Sequence, residues 1–389
     1  VTNGAKGPVY LDNNATTAVD PRVVAAMTPY LTEIFGNPSS VEHVHGNRAQ
    51  AAVAKARQQI AASLNARDNE IILTGSCTEA DNIAILGAAR ARPERKHLVT
   101  TAIEHPGVME PFRQLEREGF ELTVLGVDEH GRVDPAAVES ALREDTGLVS
   151  VMGANNEVGT IQPIGEIGEI CERRGVLFHT DLAQLMAHRK VDVAAEHIHL
   201  ASVSGHKAYG PKGVGALYVR SRSPRARVQP IMFGGGQEKG LRPGTVAVHL
   251  VVGLGEALEV AGRQAAADDQ RLRAMTAKFL EVARGAIDGV ELNGHPTERI
   301  ATNISLSIPG VEPLALMHRL NPFFSFSASS ACATEKVQTS SVLLAMFGDT
   351  ARARQAFRVS PGRFTEAEDM RNFAHLLVET AADLRRYAA

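Results

Sequence analysis

The chain has 389 residues, of which 44% are hydrophobic and 22% charged, and its net charge is −3. It exceeds the roughly 100–200 residues of an ordinary domain, so one large or two packed domains are expected; ordinary hydrophobicity at low net charge excludes a disordered chain. No apolar run reaches the ~18–20 residues of a membrane span, the N-terminus lacks a basic–apolar–small signal pattern, and the balanced charge offers no footprint for nucleic acid. The expectation is a cytoplasmic globular protein with no membrane and no direct nucleic-acid partner.

Three cysteines, Cys77, Cys171 and Cys332, are odd in number and far apart, with no CxxC pair. Neither a disulfide framework nor a cysteine-based metal site is expected, and at least one thiol is free. Nine lysines against 32 arginines, with abundant alanine, point to a GC-rich genome. Val1–Pro8 is short and polar and reads as a loose end.

In chain order, apolar runs predict strands at Ile71–Thr74, His97–Thr101, Glu121–Leu125, Leu148–Met152, Val176–His179, His199–Val203 and Val214–Val219. Helical spacing fills Glu79–Ala91, Gly107–Glu118, Pro135–Leu142 and Ile164–Arg174. Such alternation predicts an α/β fold with a mostly parallel seven-stranded sheet between helices, and a ligand site at the carboxyl ends of its strands. Near residue 255 the pattern changes: Glu256–Ile287 reads as one long helix, and strand signals beyond it are sparse (Asn303–Ile308). The expected division is a large domain over residues 18–258 and a smaller α+β domain built from 1–17 and 259–389, with Val9–Thr17 joining the smaller domain or the cleft.

The most informative segment is Ser202-Val-Ser204-Gly-His206-Lys207, where an apolar strand ends in hydroxyls, an imidazole and a lysine. Hydroxyl and imidazole donors can hold a phosphate, and a lysine there can form a Schiff base with an aldehyde; the plain alternative is a surface loop with a solvated lysine. Upstream, Val176-Leu-Phe-His-Thr-Asp181-Leu-Ala-Gln184 runs a strand into an aspartate 26 residues before Lys207. A buried aspartate facing a pyridinium nitrogen keeps that ring protonated and electron-poor, whereas an ordinary one caps the next helix. Two such side chains leaving neighbouring strands favour the pyridoxal phosphate reading.

Other strand-end segments fit the same site. Gly75-Ser-Cys77-Thr78-Glu79 opens a helix whose backbone N–H groups and Thr78 hydroxyl suit a phosphate, or else forms a simple N-cap. In Glu104-His105-Pro106, an imidazole can stack on a ring or shuttle protons, although lone histidines are usually structural. Asn155-Asn156-Glu-Val-Gly159 offers an amide to a ring oxygen, or is turn chemistry. Cys171 lies in an apolar run and reads as core, whereas Cys332 lies in Ser325-Phe-Ser-Ala-Ser-Ser-Ala-Cys332, a small-residue loop suited to an accessible nucleophile. Arg358 can clamp a carboxylate bidentately or form an ordinary ion pair.

Together these segments resemble the cysteine desulfurases of the class V aminotransferase family, pyridoxal phosphate enzymes of fold type I. The resemblance runs from Tyr10-Leu-Asp-Asn-Asn-Ala-Thr-Thr17 and Phe35-Gly-Asn-Pro-Ser-Ser40 to Arg358, and is sharpest at Ser204-Gly-His-Lys207, Thr180-Asp-Leu-Ala-Gln184, Ala154-Asn-Asn-Glu-Val-Gly159 and Ser329-Ser-Ala-Cys332. It implies that pyridoxal 5′-phosphate is held as a Schiff base on Lys207, with Asp181 on its ring nitrogen and His105 stacked as acid/base. It further implies ring contacts from Asn156 and Gln184, and a phosphate held by Cys77 (through its backbone), Thr78, Ser204 and His206. Thr245 would reach the partner subunit's phosphate in a homodimer. Arg358, with Asn156, would hold the substrate carboxylate, and Cys332 would accept sulfur from L-cysteine as a persulfide, leaving L-alanine, before passing it to an acceptor protein.

Some features depart from the family pattern. Gln237 stands where many relatives have histidine, and the segment at about 325–336 resembles that of relatives with an extended mobile cysteine loop. The chain ends at Arg385-Arg-Tyr-Ala-Ala389 without the longer tail of housekeeping iron–sulfur desulfurases. Iron–sulfur cluster assembly, tRNA thiolation and DNA phosphorothioation therefore all stay open as destinations of the sulfur. The competing readings are selenocysteine lyase, another class V aminotransferase-family enzyme, and a catalytically silent binding protein.

Overall fold

A computed structural model describes residues 7–328 and 339–388. The first strand, β1 (Val9–Tyr10), pairs in parallel with Phe324–Ser325 near the other end of the sequence. The main sheet follows: β2 (Ile71–Thr74), β3 (His97–Thr101), β4 (Glu121–Leu125), β5 (Thr146–Ser150), β6 (Leu177–Asp181), β7 (Leu200–Ser204) and β8 (Gly215–Val219). Across the sheet their order is β2-β8-β7-β6-β5-β3-β4. Strand β8 is antiparallel to both its neighbours, and every other pair is parallel.

These strands are near-continuous apolar runs because both faces are covered. Ile72, Leu98, Leu148, Leu177 and Leu200 face the helices Cys77–Arg90 and Pro106–Arg117, meeting Ile83, Ala84, Val108 and Phe112. The alternate residues Leu73, Val99, Val149, Phe178 and Ala201 face the opposite layer, against Ile60, Ile167 and Leu254. The α/β expectation and its seven strands are thus found. Strand β5 starts at Thr146 rather than Leu148 because its polar first residue is tied to His97, whose Nδ1 lies 2.8 Å from the Thr146 hydroxyl. Strand β6 continues to Asp181, beyond the apolar run that announced it.

The remaining strands β9 (Glu291–Asn293), β10 (Ile304–Ser307), β11 (Phe324–Ser325), β12 (Ser327–Ala328) and β13 (Ala356–Val359) lie beyond the long helix. An antiparallel sheet of order β12-β13-β10-β9 covers a second core of Leu306, Phe357, Phe373 and Leu377. The long helix runs Val248–Ala286, beginning eight residues before the expected Glu256. Gly253 and Gly255 weaken the helical signal there, but a Cβ on each would crowd a fixed neighbour: Pro211 Cγ at 2.9 Å and Ala56 Cα at 2.9 Å, with Met27 and Gln59 closer still. One end of this helix gives Leu254 and Leu258 to the main core, and the other gives Leu272, Met275 and Phe279 to the second. Among the described residues, no helix is long and apolar enough to cross a membrane.

The N-terminal stretch joins the two cores. Leu11 is fully buried in the second core, whereas Asn14 bonds Gln184 and Thr17 donates to the His206 carbonyl beyond the tips of β6 and β7. Deleting a buried leucine side chain costs the transfer free energy plus a cavity. Leu11→Ala is expected to lower unfolding stability by about 2–5 kcal/mol in a denaturant titration, and a change below ~0.5 kcal/mol would show that this stretch is not anchored there.

Candidate active site

Backbone register assembles the site. Strands β6 and β7 pair with Asp181 opposite Ser202, so Asp181 and the Gly205-His206-Lys207 turn leave the same edge side by side. One strand further, Ser204 lies opposite Gly215 of β8, and on the other side Gly215 lies opposite Thr74 of β2. A Cβ on Gly215 would stand 2.7 Å from the Ser76 carbonyl carbon, so the helix starting at Cys77 is pressed against this edge. Ser76 caps that helix, its hydroxyl accepting from Glu79 N at 3.0 Å. The first backbone N–H groups of the helix, among them those of Cys77 and Thr78, lack intrahelical partners and stand at the positive end of its dipole.

The charges show the convergence. The Lys207 ammonium acts on Cys77, Asp81, His105 and His206, and the Asp181 carboxylate acts on Cys77, Asp81, Glu104, His105 and His179. Asp181 is buried, and its Oδ1 accepts from Ala183 N at 2.8 Å and from the Cys77 thiol at 3.3 Å. The aspartate therefore fixes a turn, where the plain reading expected it to cap a helix, and also faces the site. His105 caps the helix Pro106–Arg117, with Nδ1 accepting from Gly107 N at 3.0 Å. That bond leaves the proton of the neutral ring on Nε2. Burial lowers the His105 pKa, and burial together with the Lys207 charge takes His206 down to about 4, so both rings are neutral at pH 7.

The expected substituent contacts have second partners. Gln184 is locked to Asn14 through both amide atoms, at 2.9 and 2.7 Å. Asn155 is consumed by the turn, its Oδ1 accepting from Glu157 N and Val158 N and its Nδ2 donating to the Ile103 carbonyl. Asn156, half-buried, projects from the same turn, and its carbonyl accepts from Arg358 Nη1 at 2.9 Å. Arg358 also pairs with Asp12 at 2.6 Å and donates to Ser327 Oγ at 3.3 Å, while its Nε is buried without a partner. To take a carboxylate bidentately it must exchange at least one of these bonds. Thr245 is exposed on the stretch before the long helix, apart from the cluster. Cys332 lies outside the described residues. Cys171 is buried in the main core, and burial pushes its thiol up to about 12.

Pyridoxal phosphate fits this constellation on a structural observation. Ser204 is 1% exposed, yet its hydroxyl has no hydrogen-bond partner, a costly state that a phosphate oxygen at the helix start would relieve. Asp181 at the neighbouring strand end suits a protonated ring nitrogen, and Lys207 an aldehyde.

Sequence reasoning passed over two buried carboxyls, Asp81 and Glu104. Asp81 is four residues after Cys77 and so shares its helix face, a spacing that signalled it. Glu104 accepts from Thr101 Oγ1 at 2.7 Å and from Met152 N at 3.0 Å, and burial raises its pKa from 4.5 to about 8. The unfolded chain releases this proton near pH 4.5 and the folded chain near 8, so the stability of the neutral form is full below 4.5 and lost as pH rises to 8. The loss is on the order of 3–5 kcal/mol. Glu104→Gln, which cannot ionise, is expected to gain in melting temperature on wild type steadily between pH 4.5 and 8. A difference constant with pH would show that Glu104 is not held neutral.

Residues 9–373 match the family described as aminotransferase class-V. The chain is 45% identical over 381 residues to the protein named cysteine desulfurase IscS of Neisseria meningitidis serogroup A, covering 98% of this chain and 94% of that protein. Two solved structures share the fold closely. A NifS-like protein has a TM-score of 0.89 and 32% identity over 97% of this chain and 100% of its own. SspA in complex with cysteine has a TM-score of 0.81 and 34% identity over 92% of this chain and 100% of its own. The matched range takes in β1, all seven strands of the main sheet and Arg358, so the chain belongs to the class V aminotransferase family, among its cysteine desulfurases.

Proposed function

We propose that this chain is a pyridoxal phosphate-dependent cysteine desulfurase, converting L-cysteine to L-alanine and placing the sulfur as a persulfide on Cys332. The observation that carries the reading is the union of Lys207, Asp181 and the unsatisfied Ser204 hydroxyl at three adjacent places on one sheet edge. When bound, pyridoxal phosphate supplies an aldehyde for an amine and an electron-poor ring that accepts the Cα electron pair.

The protein's own groups do the rest. The N–H groups and hydroxyl at Cys77 and Thr78, with Ser204 and His206, hold the phosphate at the helix start. Asp181 would keep a proton on the ring nitrogen, and Gln184 and Asn156 would meet the ring substituents. Lys207 would hold the cofactor through its aldehyde and, as a free amine, would take the Cα proton. His105, with Nε2–H available, would lie against the ring and donate or receive a proton at the substrate. Arg358 and Asn156 hold the substrate carboxylate. The Cys332 thiolate would bond to the substrate sulfur as the Cβ–S bond breaks with its electron pair left on Cβ; the three-carbon remainder would take one proton at Cβ and have one returned at Cα, and would leave as alanine when the Lys207 amine replaces it.

The persulfide then passes to an acceptor protein. Two observations support a homodimer: Thr245 is exposed, and large apolar side chains stand in solvent at Phe35 (67%), Val44 (62%) and Phe233 (88%). Exposed apolar surface of this kind marks an interaction site, here the partner copy to whose phosphate Thr245 reaches. We place the division between the large and small domains near residue 258, within the long helix that serves both cores, and the protein in the cytoplasm.

Lys207→Ala is expected to lose the cofactor's visible absorbance, read directly on the purified protein. Cys332→Ala is expected to keep that absorbance yet lose sulfide release from cysteine with a reductant present, by at least about a hundredfold. Sulfide release by Cys332→Ala at the wild-type rate would remove Cys332 from the mechanism.

A further inference from the structure

Beneath the Lys207–Asp181 pair lies a group that the mechanism does not use. Asp81 is 0% exposed, and neither of its carboxyl oxygens has a hydrogen-bond partner. The Cys77 Sγ and a carboxyl oxygen of each of Asp81 and Asp181 all lie within 4.8 Å of one another. The nearest ring nitrogen is Nε2 of His179 on β6, 3.6 Å from Asp81 Oδ1. That imidazole cannot serve as a counter-cation. It is fully buried between the hydroxyls of Ser150 (2.8 Å) and Ser202 (3.0 Å), and burial lowers its pKa to about 4.

Two carboxylates this close in a buried site do not both ionise. Which one keeps the proton follows from their partners. Asp181 receives a backbone N–H and a thiol hydrogen, both of which favour its charged form; Asp81 receives neither, and the Ser202 hydroxyl that acts in favour of its charge is shared with His179 Nε2 and outweighed by burial. We propose that Asp81 is a positioning residue, a buried carboxylic acid paired with Asp181 so that the pair carries one negative charge and that charge rests on Asp181, facing the ring nitrogen.

The other groups around Asp81 agree with this assignment. On its own helix stands Cys77, whose thiol is pushed up by burial and by the two aspartates. From the corner after β3 come Glu104, also raised by burial, and the neutral His105. A Cβ on Gly107 would lie 3.1 Å from His105 Nδ1 and 3.2 Å from Asp81 Oδ2. From β6 come His179 and Asp181, and after β7 Lys207, a cation whose charge favours the ionised form of Asp81, as does the Ser202 hydroxyl on β7. Burial is the largest effect on Asp81, outweighs both and raises its pKa well above the ordinary carboxylate range.

The inference rests on the proposed function only for the placement of the ring nitrogen at Asp181. Its test therefore uses the cofactor-free protein, where the protonation of Asp81 is read whether or not the desulfurase reading holds. Infrared difference spectra of wild type against Asp81→Asn at neutral pH are expected to show the loss of a protonated carboxyl C=O band. Loss of carboxylate bands instead would overturn the proposal. Carbon-13 labelling of aspartate in wild type reads the same state without a variant and separates Asp81 from the Glu104 acid band: a shifted acid band supports the proposal, and an unshifted one overturns it.

Alkylation of Cys77, followed by peptide mass spectrometry, gives a second readout that a merely structural residue would not move in this pattern. Asp181→Asn removes a charge and is expected to speed alkylation at least about threefold, the net gain for each unit by which a thiol pKa falls. Asp81→Asn, replacing one neutral group by another, is expected to stay within about twofold of wild type. Equal acceleration in both variants would show that Asp81 carries charge and would overturn the proposal.

Discussion

Everything at this site depends on the parallel pairing of β6 with β7, which sets Asp181 opposite Ser202. The ladder hydrogen bonds fix the register of the two strands, so the aspartate at the end of one and the lysine turn at the end of the other are held side by side. A slip of one residue would turn His179 and Asp181 to the opposite face, toward Ile167 and Leu254, and leave Lys207 without its acidic neighbour. The burial that makes this sheet stable also makes its edge reactive. Apolar layers on both faces strip water from the carboxyls, imidazoles and hydroxyls at the strand tips and shift their proton affinities.

The electrostatics of the edge are organised around scarcity of charge. Glu104, Asp81 and Asp181 are three buried carboxyls in one small region, and His105, His179 and His206 are three imidazoles that burial keeps neutral. Holding most of these groups uncharged concentrates the field in two, the Lys207 ammonium and the Asp181 carboxylate. Those are the groups proposed to act on an aldehyde and on a ring nitrogen. The thiol of Cys77 adds a hydrogen bond to Asp181, so the residue that begins the helix proposed to bind the phosphate also steadies the proposed partner of the ring nitrogen.

The N-terminal stretch explains how the second core takes part. Asp12 pairs with Arg358 of β13, Asn14 with Gln184, and Thr17 with the His206 carbonyl. A single extended segment thus links the arginine proposed to hold a substrate carboxylate with the residues proposed to hold the cofactor. Arg358 is kept in place by its pair with Asp12, so its guanidinium is already oriented for the substrate carboxylate it is proposed to hold.

Much of this was legible in the residues alone. Continuous apolar runs of Val, Ile and Leu could only be strands buried on both faces, and their alternation with helical spacing dictated a parallel sheet whose strand ends carry the chemistry. Lys207, Asp181, His105 and Ser204 were found because polar residues break off such runs abruptly. Asp81, Glu104 and Asn14 were not, because a carboxylate on a helix or an amide in a loop looks solvated until its surroundings are known. The helix start at Val248 was hidden for a related reason: its glycines lower local helix propensity, and the close contacts that need them come from Pro211 and Ala56, distant in sequence. Strand order, the register that sets Asp181 beside Lys207, the second bonds of Gln184 and Arg358, and the proton balance of the buried carboxyls are relations between segments up to some 350 residues apart. Local side-chain chemistry is written residue by residue, whereas burial and distance are properties of the packed whole.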